Sequence, residues 1–121
     1  MDTDRLSVLD QIKKHTVVVA DTGDFESIRK YEPRDATTNP SLILKAARQE
    51  EYAALVSEVV ESSVGEGVED VEEVMDRLLI AFGKSILEIV PGRVSTEVDA
   101  RLSFDKNGSL EKARSLIAKY E

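Results

Sequence analysis

Thr16-Val17-Val18-Val19-Ala20-Asp21-Thr22-Gly23-Asp24 is the stretch on which the fold turns. Four of its first five residues are β-branched, none is charged, and the run stops at a cluster of turn formers. A strand without polar alternation reads as buried on both faces, hence as central or parallel rather than as an antiparallel edge. Leu6, Leu9 and Ile12 precede it at helical spacing and predict a short amphipathic helix over residues 4–14. Phe25 to Tyr31 follows as a second short helix, closed by Pro33.

The strand-then-helix unit recurs down the chain. Asp35-Ala36-Thr37-Thr38 is too short for its periodicity to decide, but it runs into Asn39-Pro40, a capping residue followed by the residue favoured at the first helical position. Leu42, Ile43, Ala46 and Ala47 continue at helical spacing, and Tyr52 to Ser62 reads as a further helix before the Gly65-Glu66-Gly67 break. Val71, Val74, Met75, Leu78, Leu79, Phe82, Ile86, Leu87 and Val90 then keep a 3.6-residue period, with Asp70 and Glu73 spaced like a capping box and Pro91-Gly92 as the stop. Arg93 to Asp99 alternates with Val94, Thr96 and Val98 on one side, a third strand. Leu110, Ala113, Leu116 and Ile117 mark a last helix.

Strands alternating with helices predict an α/β fold with a parallel sheet. Three strands are too few to close a cylinder, and a (β/α)8 TIM barrel takes about 250 residues. The expected architecture is therefore the N-terminal part of such a barrel, incomplete in this chain, with residues 1–121 as one unit and no second domain.

Bulk composition narrows the function. The net charge is -8 and the pI about 4.7, which argues against nucleic acid as a partner because phosphate backbones need a basic face. A small phosphorylated substrate needs only one or two local cations. There is no cysteine, so no disulfide or thiolate metal site is available. No secretory signal or membrane-length apolar run is visible, and the expected location is the cytoplasm.

Polar groups collect at one place in this scheme. Asp21 follows the first strand, Asn39 the second, and Glu97 lies near the end of the third. In parallel α/β folds the carboxyl ends of the strands are where chemistry is built. If Val94, Thr96 and Val98 face the helices, Ser95 and Glu97 face the barrel interior, and Asp21 shares a side with Val17 and Val19. A carboxylate in a partly desolvated mouth is suited to proton transfer. Each residue also has a structural reading: Asp21 as a turn former, Asn39 as a helix cap, Glu97 as a salt-bridge partner of Arg93 or Arg101. Of the others, Lys13-Lys14 and Arg29-Lys30 are expected at the surface, and His15 at the surface or in the core rather than in catalysis. The acidic run Glu66 to Glu73 reads as a solvated loop and helix start rather than a metal site, and Phe104 is expected to pack.

Ala20-Asp-Thr-Gly-Asp24, Asp35-Ala-Thr-Thr-Asn-Pro-Ser-Leu-Ile-Leu44 and Pro91-Gly-Arg-Val-Ser-Thr-Glu-Val-Asp-Ala-Arg-Leu-Ser-Phe-Asp105 resemble the classical transaldolases, in order and spacing along the whole chain. Thr-Thr-Asn-Pro-Ser alone is shared with shorter fructose-6-phosphate-aldolase relatives. The resemblance implies a (β/α)8 barrel that moves a dihydroxyacetone unit between sugar phosphates in the non-oxidative pentose phosphate pathway. The reaction takes sedoheptulose 7-phosphate and glyceraldehyde 3-phosphate to erythrose 4-phosphate and fructose 6-phosphate, through a lysine Schiff base. It implies that Asp21 handles the proton of the cleaved hydroxyl, that Glu97 works through a water during imine formation, and that Asn39 hydrogen-bonds the substrate. It implies no metal or organic cofactor, and often a homodimer.

The family's Schiff-base lysine lies on the strand after the last helix seen here. The eight lysines present are Lys13, Lys14, Lys30, Lys45, Lys84, Lys106, Lys112 and Lys119, all on predicted helices or loops. The chain is therefore expected to end before the nucleophile and to be inactive alone. Such a chain could instead be a non-catalytic part-barrel that binds a partner. Val-Val-Ala-Asp-Thr-Gly also resembles the aspartic-protease signature, but that fold is nearly all β and the helix from Val71 to Val90 opposes it.

Overall fold

The computed structural model describes residues 5–121. Three short strands, β1 (Val19–Asp21), β2 (Asp35–Thr38) and β3 (Val94–Thr96), form one parallel sheet in the order β1-β2-β3. The helices are α1 (Val8–Lys13), α2 (Phe25–Tyr31), α3 (Pro40–Ala47), α4 (Ala53–Gly65), α5 (Val71–Leu87) and α6 (Lys106–Tyr120), with 3-10 turns at Glu50–Tyr52 and Ala100–Leu102. Helices fill each passage between strands, as parallel pairing requires of a chain that must return to the same end of the sheet. This is the α/β architecture read from the sequence, and it is incompatible with the nearly all-β protease alternative.

Register makes the face of each residue definite. Val19, Ala20 and Asp21 pair with Asp35, Ala36 and Thr37, and Ala36, Thr37 and Thr38 pair with Val94, Ser95 and Thr96. Ala36 and Thr38 are buried on the helix side, while the alternate positions lie on the opposite, open face. The run from Thr16 enters the sheet only at its end: Arg34 N–H donates to the Val18 carbonyl at 2.9 Å, and the paired residues begin at Val19↔Asp35. Val17 and Val19 are 43% and 48% exposed, against the expectation of a strand buried on both sides. Helices cover one face only, and among the described residues no layer covers the other.

The core lies between the sheet and the helices. Phe25, Tyr52 and Phe82 form an aromatic triad with centroid separations of 4.7, 5.6 and 5.6 Å, flanked by Ile28, Ile43 and Ile86. The tilted and edge-on contacts suit the ring quadrupoles. The Tyr52 hydroxyl is satisfied in this setting: it accepts from Phe25 N–H at 2.9 Å and donates to Asp24 Oδ1 at 3.2 Å.

Side-chain caps begin five helices: Ser7, Asp24, Asn39, Asp70 and Asp105 each accept a backbone N–H of the first turn. The Asp70–Glu73 capping box is only half made. Asp70 accepts from Glu72 N–H, but Glu73 turns to Arg77 at 3.1 Å and Lys119 at 3.2 Å, which are stronger charge-assisted partners than the cap's N–H. The acidic run is thus wired into the fold, with Glu66 on Arg77 and Glu72 on Arg101, rather than merely solvated. Lys13 likewise has a structural bond, donating to the Tyr31 carbonyl at the end of α2 at 2.6 Å. Phe104 does not pack; it is fully exposed. The tight turns from Asp99 to Asp105 bring Leu102 inward and leave Phe104 pointing away.

Gly92 is fixed by a close approach. Its N–H bonds the Arg34 carbonyl at 2.9 Å, and Arg93 N–H bonds Asp35 Oδ1 at 2.8 Å. A Cβ at Gly92 would overlap the Asp35 carboxylate and lie 2.6 Å from the Arg34 carbonyl oxygen. Gly92→Ala is expected to destabilise the chain by about 1–3 kcal/mol, read as a lower urea midpoint at an unchanged slope.

The same contact makes stability sensitive to acid. The Arg93 N–H, followed by the Arg34 side chain, holds the Asp35 carboxyl below its usual range. The Ser27 and Tyr52 hydroxyls do the same for Asp24, and Arg101 holds Asp99 down to about 2. Folded values below the unfolded ones give stability that is full above the ordinary carboxyl range and is lost as pH falls through it. The urea midpoint is expected to hold down to about pH 4 and then fall toward pH 2. Asp35→Asn keeps an acceptor for Arg93 but removes that carboxyl's titration. It should lower the midpoint at pH 7 and make the fall below about pH 4 shallower.

Candidate active site

Each strand delivers one polar side chain to the same rim. Asp21 is the last residue of β1, Asn39 follows β2 as the cap of α3, and Glu97 is the first residue past β3. The ladder sets Asp21, Thr37 and Ser95 side by side in one row on the open face. Two residues further along the chain come Asn39 and Glu97, each the first residue past the end of its strand. Strand spacing places the Asp21 and Glu97 columns roughly 10 Å apart. Both residues thus stand at the same end of the sheet, Asp21 on its open face and Glu97 one residue past the ladder, beside a cavity lined by residues of α3, α5 and α6.

Thr37 connects this row. Its hydroxyl donates to Asp21 Oδ1 at 2.9 Å and leaves the second carboxylate oxygen open to the face. Sequence reasoning gave Thr37 no role. The signal was present in the parity it shares with Asp35 and Asn39, but finding its partner required the register Asp21↔Thr37.

Asn39 is a cap, as its structural reading supposed. Its backbone is extended, with φ -144 and ψ 165, and Oδ1 accepts from Leu42 N–H at 2.9 Å. That bond fixes the amide and leaves its NH2 end as a donor; among the described residues that nitrogen has no hydrogen bond. The neighbouring Asp-Thr-Gly-Asp turn divides its labour. Asp24 belongs to the scaffold, capping α2 and bonding Ser27 at 2.6 Å, while Asp21 stays on the face. Gly23 lets this turn press on α3: a Cβ there would meet Ala46 Cβ at 3.0 Å and the Leu42 carbonyl at 3.3 Å.

Glu97 does not take the salt bridge open to it with Arg101. That guanidinium binds Asp99 at 2.5 Å and Glu72 at 2.8 Å, tying the turn after β3 to the start of α5. Among the described residues Glu97 has no ion pair. It borders a cavity of about 210 Å³ shared with Pro40, Met75, Leu79 and Lys112. Lys112 is committed to the buried Asp76 carboxylate at 2.5 Å. His15 is exposed. Among the described residues no group of three or more His, Cys, Asp or Glu is arranged to hold a metal ion. No described helix is long and apolar enough to cross a membrane.

A row of a carboxylate, two hydroxyls, an amide and a second carboxylate can accept and return protons at two points and hold a polyol between them. Comparison with known proteins agrees on one family. The family model for transaldolase/fructose-6-phosphate aldolase matches residues 18–121. A transaldolase of Prochlorococcus marinus (strain NATL1A) is 56% identical over 120 residues, covering 94% of this chain. The chain spans 36% of that relative's length.

Proposed function

Because the chain belongs to the transaldolase/fructose-6-phosphate aldolase family, we propose that it carries the acid–base part of a transaldolase site acting on sugar phosphates. The observation that supports this most is that Asp21, Asn39 and Glu97 stand at or just past the carboxyl ends of three adjacent parallel strands.

In this reading a lysine outside the eight present forms an imine with the carbonyl of a ketose phosphate, and the protonated imine is the electron sink for carbon–carbon cleavage. Asp21 takes the proton of the hydroxyl on the carbon that leaves as an aldehyde. Thr37 holds one oxygen of Asp21 and thereby aims the other. Glu97, through a water, moves protons while carbinolamine becomes imine and again on hydrolysis. The NH2 of Asn39 donates to a substrate hydroxyl. The unit transferred is dihydroxyacetone, between sedoheptulose 7-phosphate and glyceraldehyde 3-phosphate in one direction and fructose 6-phosphate and erythrose 4-phosphate in the other. No metal or organic cofactor takes part. The protein acts in the cytoplasm, as a homodimer, and its charge of -8 turns away nucleic acid.

A hybrid protein tests this, in which these 121 residues replace the matching stretch of the Prochlorococcus marinus relative. The hybrid is expected to convert fructose 6-phosphate and erythrose 4-phosphate, and Glu97→Gln to lower its kcat about 10²–10⁴-fold. A folded hybrid without turnover, or a Glu97→Gln variant with parental turnover, would refute the assignment. The exposed Val17 and Val19 favour a second reading, a non-catalytic part-barrel that binds a partner chain; it requires the folded but inactive outcome.

A further inference from the structure

We propose that Tyr120 is a positioning residue for Glu97, acting through Thr96 from the helix side of β3; this rests on the reading of Glu97 given above. The ladder ends at the Thr38↔Thr96 pair, so Glu97 is the first residue without a pairing partner on β2. Among the described residues the other edge of β3 is unpaired as well. What fixes this end of the strand must come from side chains, and two supply it. Thr38 donates to the Ser95 carbonyl at 3.2 Å. Tyr120, in the last turn of α6, shares a hydrogen bond of 2.5 Å with the Thr96 hydroxyl.

The seat of that tyrosine is built into α5. Gly83 is buried in the middle of the helix, and a Cβ there would overlap the Tyr120 hydroxyl and lie 2.8 Å from Cζ. Glycine inside a helix is less favourable than alanine, and here it opens the slot through which the phenol reaches β3. Thr96 is the last residue of β3, so a bond that fixes its side chain limits the backbone positions from which the next residue, Glu97, can leave the strand. A carboxylate that must meet a water and a reacting carbon in line loses rate steeply with small displacements, about a hundredfold for 1 Å.

Tyr120→Phe keeps the ring in the Gly83 slot and removes only the hydroxyl. In the hybrid described above, Tyr120→Phe and Thr96→Val are each expected to lower kcat about ten- to a hundredfold, with KM within about twofold. Thr96→Ser, which keeps the hydroxyl, should restore kcat, and Tyr120→Phe should add nothing in a Glu97→Gln background. A purely structural role would instead lower the melting temperature and the folded fraction and leave kcat per folded molecule unchanged. Parental kcat in Tyr120→Phe, no difference between Thr96→Ser and Thr96→Val, or a full additional loss on top of Glu97→Gln would each overturn the proposal. Failure of the parent hybrid, or full activity of Glu97→Gln, would instead bring down the assignment of Glu97 itself.

Discussion

Asp21→Asn in the hybrid is expected to lower kcat by about 10²–10⁴-fold while the melting temperature moves by only a few degrees. The two effects separate because Asp21 is exposed at the end of β1 and, among the described residues, its one side-chain partner is the Thr37 hydroxyl. Asparagine retains a carbonyl oxygen for that hydroxyl, so the fold loses little. It cannot take up the proton that leaves the substrate hydroxyl, so cleavage loses its base. Thr37→Val should cost less, about tenfold, because it frees the carboxylate to turn without removing it. The double variant should be no slower than Asp21→Asn alone, since a residue that acts by aiming a base has nothing left to aim. Steady-state kinetics on the four proteins decides the matter. Additive losses would mean that Thr37 and Asp21 act separately, and parental kcat in Asp21→Asn would remove the aspartate from the mechanism.

What was legible in the sequence was whatever local chemistry enforces. Phe25 to Tyr31 and Asp35 to Thr38 were bounded correctly, because Asp24, Pro33 and Asn39-Pro40 are stops and caps that act within a turn of where they stand. The face of Ser95 followed from the period of two, but the strand read from Arg93 to Asp99 ends at Thr96, one residue before Glu97. Contacts between distant segments were not legible. Thr37 meets Asp21 across 16 residues and Tyr120 meets Thr96 across 24, and nothing in the local composition of either member announces the other. The valine run misled for a related reason: apolar residues state that a strand wants cover and do not state whether cover is supplied, and Val17 and Val19 stand open. Phe104 misled in the opposite sense. Its hydrophobicity predicted burial, but in the turns around Ala100–Leu102 it is Leu102 that is half-buried, while Phe104 stands exposed.

The placement of the lysines yields the other large effect. Incubated with fructose 6-phosphate and borohydride, the 121-residue polypeptide is expected to trap no covalent adduct and to show no turnover. A Schiff-base lysine needs an unprotonated amine, which burial and the absence of a fixed carboxylate partner provide, and it needs to stand over the face that binds the substrate. None of the eight meets both conditions. All lie in helices or at a helix end: Lys13 and Lys14 at the close of α1, Lys30 in α2, Lys45 in α3, Lys84 in α5, and Lys106, Lys112 and Lys119 in α6. Lys112 comes nearest, since it borders the same cavity as Glu97, but it is held by the buried Asp76 carboxylate, and an amine so paired is a poor nucleophile. Lys119 is likewise engaged by Glu73 and Ser115. Intact-mass measurement after reduction checks the prediction, with the hybrid as the positive control for trapping. An adduct mapped to Lys112 would carry the most information. It would mean that the Asp76 pair opens when substrate binds and that α6, rather than a strand, can supply the nucleophile to the rim defined by Asp21 and Glu97.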